Sequence, residues 1–76
     1  MNTGIKTRGG KEIRVGDIVR PCKRSNRILT SDKDKTWRVE LRKNPFALVD
    51  TETGKQNEIL ESWLDGELVF IGHEDN

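Results

Sequence analysis

The sequence predicts a mainly β protein, a small five-stranded antiparallel barrel with one short helical turn. The chain has 76 residues, which is the size of a single compact domain. Apolar and polar residues alternate over several short segments, as they do in strands that are buried on one face. Clusters of Gly, Pro, Asn and Asp separate these segments at the spacing of turns.

The first strand is predicted at 16–20. β-branched residues alternate around a bend at Gly16-Asp17, and Pro21 ends the ladder because it lacks a backbone donor. The preceding segment, 1–11, has three glycines and no repeated apolar pattern, so burial offsets little of its backbone entropy. We expect a loose N-terminal arm there.

Residues 21–35 are rich in Lys and Arg, and Ile28 and Leu29 are their only large apolar residues. This composition predicts a long exposed loop with a short anchoring hairpin. A strand follows at 36–43, where alternation is uninterrupted. Its apolar face consists of Trp37, Val39 and Leu41. Its charged face consists of Arg38, Glu40 and Arg42.

Two further strands are predicted in the acidic half of the chain, at 46–51 and 55–59. A turn joins them, and Gly54 is expected to take a positive φ in it. Helical spacing of Ile59, Leu60, Trp63 and Leu64 predicts one short helical turn before a last strand at 67–72. The single domain therefore covers 12–72, with a polar tail at 73–76. The predicted core consists of Ile18, Val39, Leu41, Leu48, Ile59, Trp63, Leu68 and Phe70.

The order of strands, loop and turn matches an SH3-like barrel. The segment Val15-Gly16-Asp17-Ile18-Val19 resembles the opening strand of many such barrels, in which a Gly-Asp bend leads into the strand. The fold class expected from this resemblance is a small five-stranded SH3-like antiparallel barrel in which the first and last strands pair.

Three segments of the C-terminal half resemble the end of YopX-like domains, which occur in small phage and prophage proteins. They are Glu52-Thr53-Gly54-Lys55, Leu60-Glu61-Ser62-Trp63 and Val69-Phe70-Ile71-Gly72. The resemblance implies a phage- or prophage-encoded accessory protein. It assigns no reaction, and it carries no functional residue over to this chain.

Catalytic and metal-binding patterns are scarce. One cysteine, Cys22, and one histidine, His73, cannot form an intramolecular disulfide or a closed zinc site. Neighbouring cations can activate a thiol, but a small half-buried residue is the favoured interpretation of Cys22. His73 is expected to be solvated. A solvated acidic face is predicted for Glu58, Glu61, Asp65 and Glu67. We therefore expect no enzyme activity and no cofactor.

Charge is unevenly distributed, with a net +8 over residues 1–44 and −7 over residues 45–76. Such asymmetry favours an electrostatic partner, although folding can also cancel it through cross-strand pairs. The favoured function is an interaction module for a protein partner or for itself. The alternative is a nucleic-acid-binding domain in the 20–43 region, with phosphate contacts from Arg20, Lys23, Arg24, Arg27, Lys33, Lys35, Arg38 and Arg42.

The expected location is the cytoplasm. No apolar run is long enough to span a bilayer, and the opening residues lack the charged-then-apolar order of a signal peptide. We expect no membrane partner and no small-molecule cofactor.

Overall fold

The computed structural model describes residues 2–22, 35–42 and 46–74. These residues form seven β-strands and one 3₁₀ turn, and none of their helices is long and apolar enough to cross a membrane. The strands are β1 (Asn2–Lys6), β2 (Glu12–Arg14), β3 (Asp17–Pro21), β4 (Trp37–Leu41), β5 (Phe46–Asp50), β6 (Gln56–Ile59) and β7 (Leu68–His73), and the 3₁₀ turn spans Leu60–Ser62.

Five strands form one antiparallel sheet in the order β6-β5-β4-β3-β7. The mainly β fold, the five antiparallel strands and the short helical turn are therefore confirmed, and β3 pairs with β7 as expected. Closure into a barrel is not observed, because no pairing joins β6 to β7 within the described ranges. After Ile59 the chain enters the 3₁₀ turn, which directs Trp63 into the core instead of extending β6 towards β7.

The remaining strands, β1 and β2, form a separate two-stranded hairpin. The sequence predicted a loose arm over 1–11, whereas residues 2–6 are a strand. The difference arises because Ile5 packs against the core and Thr7 is buried. A backbone hydrogen bond also connects the hairpin to the start of β7. The Arg8 N–H donates to the Leu68 carbonyl at 2.8 Å.

The core lies on one face of the sheet, under the hairpin. Val39, Leu48, Trp63 and Leu68 are buried as predicted, and the rings of Trp63 and Trp37 are 5.6 Å apart. The other predicted core residues, namely Ile18, Leu41, Ile59 and Phe70, are half-buried or exposed.

Strand register and position along the strand explain three of these four differences. Val19 pairs with Trp37 on the inner face, so its neighbour Ile18 points outwards. Leu41 is on the inner face but ends β4, where it is 54% exposed. Ile59 pairs with Ala47 on the outer face, and Leu60 fills the core beside it.

Candidate interaction surfaces

The end of β7 closes onto the turn between β2 and β3. Nδ1 of His73 lies 2.6 Å from Oδ1 of Asp17, and the Oδ2 atom of this fully buried carboxylate accepts the Arg14 N–H at 2.9 Å. His73 is exposed, as predicted, but one nitrogen of its ring contacts this buried carboxylate. The pairing of Asp17 with His73 in the β3–β7 ladder brings the two side chains together.

Gly16 allows this approach. It has φ +97°, and a Cβ at this position would lie 2.9 Å from Cε1 of His73 and 3.1 Å from the backbone oxygen of Glu74. The Glu74 N–H also donates to the Gly16 carbonyl at 2.8 Å. The expected polar tail at 73–76 is thus joined to the domain at its first two residues.

A shallow groove of about 440 Å³ opens beside His73, and its lining residues are Val15, Gly16, Arg38, Val39, Glu40, His73 and Glu74. A histidine oriented by a buried carboxylate is a typical general-base arrangement. The lining residues, however, include no Ser, Thr or Cys for such a base to activate. The contact between His73 and Asp17 therefore fits a structural role, in which it holds the end of β7 against the β2–β3 turn.

The polar face of β4 carries an ion-pair network. Nη2 atoms of both Arg38 and Arg42 lie 2.8 Å from the Glu40 carboxylate, and Arg38 also pairs with Glu74 at 3.3 Å. Hydrogen bonding to Arg42 and then to Arg38 lowers the pKa of Glu40 below its ordinary value. The bond to Glu40 raises the pKa of Arg38. Positive charge on this face is therefore largely neutralised within the chain.

The residues predicted to contact phosphates do not form one free basic surface in the described part of the chain. Lys35 lies 3.6 Å from Asp50, and Arg20 donates to the Pro21 carbonyl at 3.4 Å. Arg38 and Arg42 belong to the network on β4. The other four predicted residues, Lys23, Arg24, Arg27 and Lys33, lie outside the described residues.

Sequence reasoning missed a different basic surface, on the hairpin. It consists of Lys6, Arg8, Lys11 and Arg14, all of which are exposed. Lys11 places Nζ 4.7 Å from the centre of the Phe70 ring, and no ion pair involves any of the four within the described ranges. The available signal was Gly9-Gly10 between two short alternating segments, a hairpin pattern.

The opposite edge of the sheet is exposed and acidic. All four residues of β6 are exposed, and among the described strands β6 pairs only with β5. Glu58 lies in this strand and Glu52 in the turn before it. Both side chains are exposed, and neither forms an ion pair in the part of the chain that the structure describes.

The predicted acidic face consists partly of residues that cap backbone groups. Glu61 accepts the Phe46 N–H at 3.0 Å, and Asp65 accepts the Lys6 N–H at 2.8 Å. Glu67, which is half-buried, accepts the Leu64 N–H at 2.7 Å. The described residues contain no cluster of His, Cys, Asp and Glu suited to a metal. Cys22 is a free thiol, and it is buried and not half-buried as predicted.

No known family, curated protein or solved structure matches this chain. The fold places the chain in the class of small, mostly β domains.

Proposed function

We propose that this chain is a non-enzymatic interaction module that adds an extended segment of a partner protein to its sheet at β6. The outer edge of β6 carries this proposal, because its four residues are exposed and no described strand other than β5 pairs with them. Such an edge presents unpaired backbone N–H and C=O groups that can template another strand. The strand contains no proline or lysine, which commonly protect sheet edges from pairing.

The charge around β6 favours a basic partner segment. Glu52 and Glu58 are exposed, and Lys55 is the only basic residue in the whole of 45–76. Opposite charges on neighbouring strands stabilise pairing, whereas like charges destabilise it. The occupant is therefore an extended protein segment with Lys or Arg opposite these two carboxylates.

The alternative of nucleic-acid binding through 20–43 receives less support. Lys35, Arg38 and Arg42 are paired with carboxylates of the same chain, and each would have to exchange its partner for a phosphate. The YopX-like resemblance supports the further proposal of a cytoplasmic, phage- or prophage-encoded accessory protein with an SH3-like relationship. Gene neighbourhood tests that origin.

A proline scan of β6 combined with a library of displayed peptides tests the function. Proline removes one N–H, so a variant that keeps its fold has lost an outward donor, while a variant that unfolds has lost a bond to β5. Peptides selected on the wild-type chain should contain Lys or Arg and shift the amide resonances of Gln56–Ile59. Their binding should be lost in the folded proline variants and weakened in Glu58→Gln.

Two results would contradict the proposal. Selected peptides that shift resonances elsewhere, or bind the folded proline variants unchanged, would exclude β6 as the site. Concentration-dependent dimerisation through the same residues, seen by sedimentation, would identify a second copy as the occupant and overturn the choice of a basic partner.

A further inference from the structure

In the part of the chain that the structure describes, the β1–β2 hairpin groups several cations that form no ion pair. Its four exposed cations are Lys6, Arg8, Lys11 and Arg14, and Glu12 is the one acid within 2–14. The contrast with β4 is direct, since Arg38 and Arg42 there share the carboxylate of Glu40. Among the described residues the hairpin is therefore the largest group of exposed cations without a carboxylate partner, whereas Lys35, Arg38 and Arg42 each have one.

One face of the hairpin is apolar and packs on the core, and the other face is charged. Ile5 and Ile13 turn towards the core, and the alternation of a strand puts Lys6 and Arg14 on the opposite face. The tip at Gly9-Gly10 has no side chains, and a Cβ at either glycine would meet nothing within 4 Å. No side chain at the tip would therefore obstruct the approach of a large anionic ligand.

The hairpin is held in place by backbone bonds. The Lys6 N–H donates to Asp65 at 2.8 Å, the Gly66 N–H donates to the Lys6 carbonyl at 3.0 Å, and Arg8 donates to Leu68. These bonds use main-chain groups of the hairpin, so the charged ends of Lys6 and Arg8 remain available. Anchored strands lose less entropy when their side chains bind a ligand.

We infer that the hairpin binds the phosphate backbone of nucleic acid without sequence preference. Arg8 and Arg14 each offer the planar fork that matches phosphate oxygens, and lysines add point charges. A two-stranded ribbon also fits the width of the major groove. No aromatic ring on the hairpin could stack on bases, which leaves phosphate contacts as the source of affinity.

The number of contacts sets the strength of the salt dependence. When the logarithm of the binding constant is plotted against the logarithm of the salt concentration, each phosphate contact on B-DNA contributes a slope of about −0.9. Three or four neutralised phosphates therefore predict a slope of about −2.7 to −3.6. Affinity should then fall roughly 40- to 150-fold between 50 and 200 mM salt. Glu12 pairs with Lys6 across the hairpin, and this neighbouring carboxylate favours the lower count.

Fluorescence anisotropy with duplexes of unrelated sequence tests the inference on the full chain. Lys6→Gln, Arg8→Gln and Arg14→Gln should each weaken binding to every duplex and make the slope shallower by about one unit. Lys55→Gln is the matched control, because Lys55 is an exposed lysine in the acidic half of the chain. That variant should bind duplexes as the wild type does.

Absence of duplex binding at 50 mM salt would overturn the inference, as would equal effects of Lys55→Gln and the hairpin substitutions. Equally tight binding of poly-glutamate would identify an acidic protein as the ligand and would also overturn it. The β6 proline variants should bind duplexes normally, so failure of the hairpin site and failure of the β6 site are separate results. Near-ultraviolet circular dichroism of the Trp37–Trp63 pair checks that each variant is folded.

Discussion

Asp17 is a fully buried carboxylate that is hydrogen-bonded to one residue nearby in sequence and to one far away. One donor is the Arg14 N–H and the other is Nδ1 of His73, 56 residues away in sequence. A buried acceptor that loses its donor keeps the cost of its desolvation. This pair therefore couples the end of β7 to the turn before β3.

His73→Ala should lower the free energy of unfolding by about 1.5–3 kcal/mol, the range for hydrogen bonds that involve a charged group. The cause is the Oδ1 atom of Asp17, which would stay buried without its donor. Urea unfolding followed by tryptophan fluorescence measures the change. Glu74→Ala is the control, since its exposed ion pair with Arg38 should contribute at most about 1 kcal/mol. Equal, small losses in both variants would show that His73 behaves as a solvated residue.

Gly16→Ala should destabilise the protein by about 1–3 kcal/mol, because an L-residue is strained at φ +97° and its Cβ would press on His73. Gly10→Ala separates these two causes, since Gly10 has φ +88° but open space around it. We expect the smaller loss at Gly10, measured by urea unfolding. Equal losses would mean that the contact with His73 adds nothing to the backbone strain.

At the scale of elements, the sequence predicted the strands of the main sheet because alternation and turn residues coincide in each. The inner face of β3 was assigned wrongly, since Ile18 and Val19 are adjacent and either could be buried. The hairpin was missed because Thr7 occupies an inward position that an apolar residue would have revealed. The error in β3 arises because pairing across the sheet decides which of two neighbouring residues faces inwards.

The candidate site was less predictable than the fold. The sequence shows that Arg38, Glu40 and Arg42 share one face of β4, but the contact between Arg38 and Glu74 depends on how β7 ends. Likewise, nothing local distinguishes the unpaired Arg14 from the paired Arg42. Charge counts along a chain therefore locate a basic region, while the tertiary fold determines which of its cations remain available.

The turn between β5 and β6 depends on an ionised carboxylate. Asp50 accepts the Glu52 N–H at 2.8 Å and the Thr53 N–H at 3.3 Å, and it pairs with Lys35. These interactions, the Glu52 N–H first, lower the pKa of Asp50 below 3.8, as the arginines lower that of Glu40 below 4.5. Both groups therefore stabilise the fold above their unfolded-state pKa values.

Stability should fall with acid as these two groups are protonated. A lowered pKa in the folded state means that the contribution is complete above about pH 5 and is lost as the pH falls through the folded-state values. Asp50→Asn and Glu40→Gln should each make unfolding free energy less dependent on pH below 4.5 and should be most destabilising near neutral pH. Urea unfolding at a series of pH values measures this. An acid dependence identical to that of the wild type in both variants would contradict it.

At the scale of the whole molecule, folding places exposed charges of opposite sign on two surfaces of the described residues. The cations of β4 are neutralised, while those of the hairpin and the carboxylates around β6 remain exposed. The two surfaces are carried by different sheets, β1–β2 and β6-β5-β4-β3-β7. The integrity of the molecule therefore depends on how firmly the hairpin is docked onto the larger sheet.

Docking of the hairpin is tested by Ile5→Ala, because Ile5 packs against the core and is only partly buried. We expect a loss of about 1–2 kcal/mol, below the range for a fully buried isoleucine, from a total stability of about 3–5 kcal/mol for a core of this size. Ile71→Ala is the control, since Ile71 is 50% exposed and its truncation should change stability by no more than about 0.5 kcal/mol. A chain shortened to 12–76 loses β1 and its bonds to residues 65–68, so it should be unfolded or nearly so at 25 °C. If the shortened chain and Ile5→Ala both unfold at the urea concentration of the full-length protein, the hairpin is a loose arm and does not stabilise the domain.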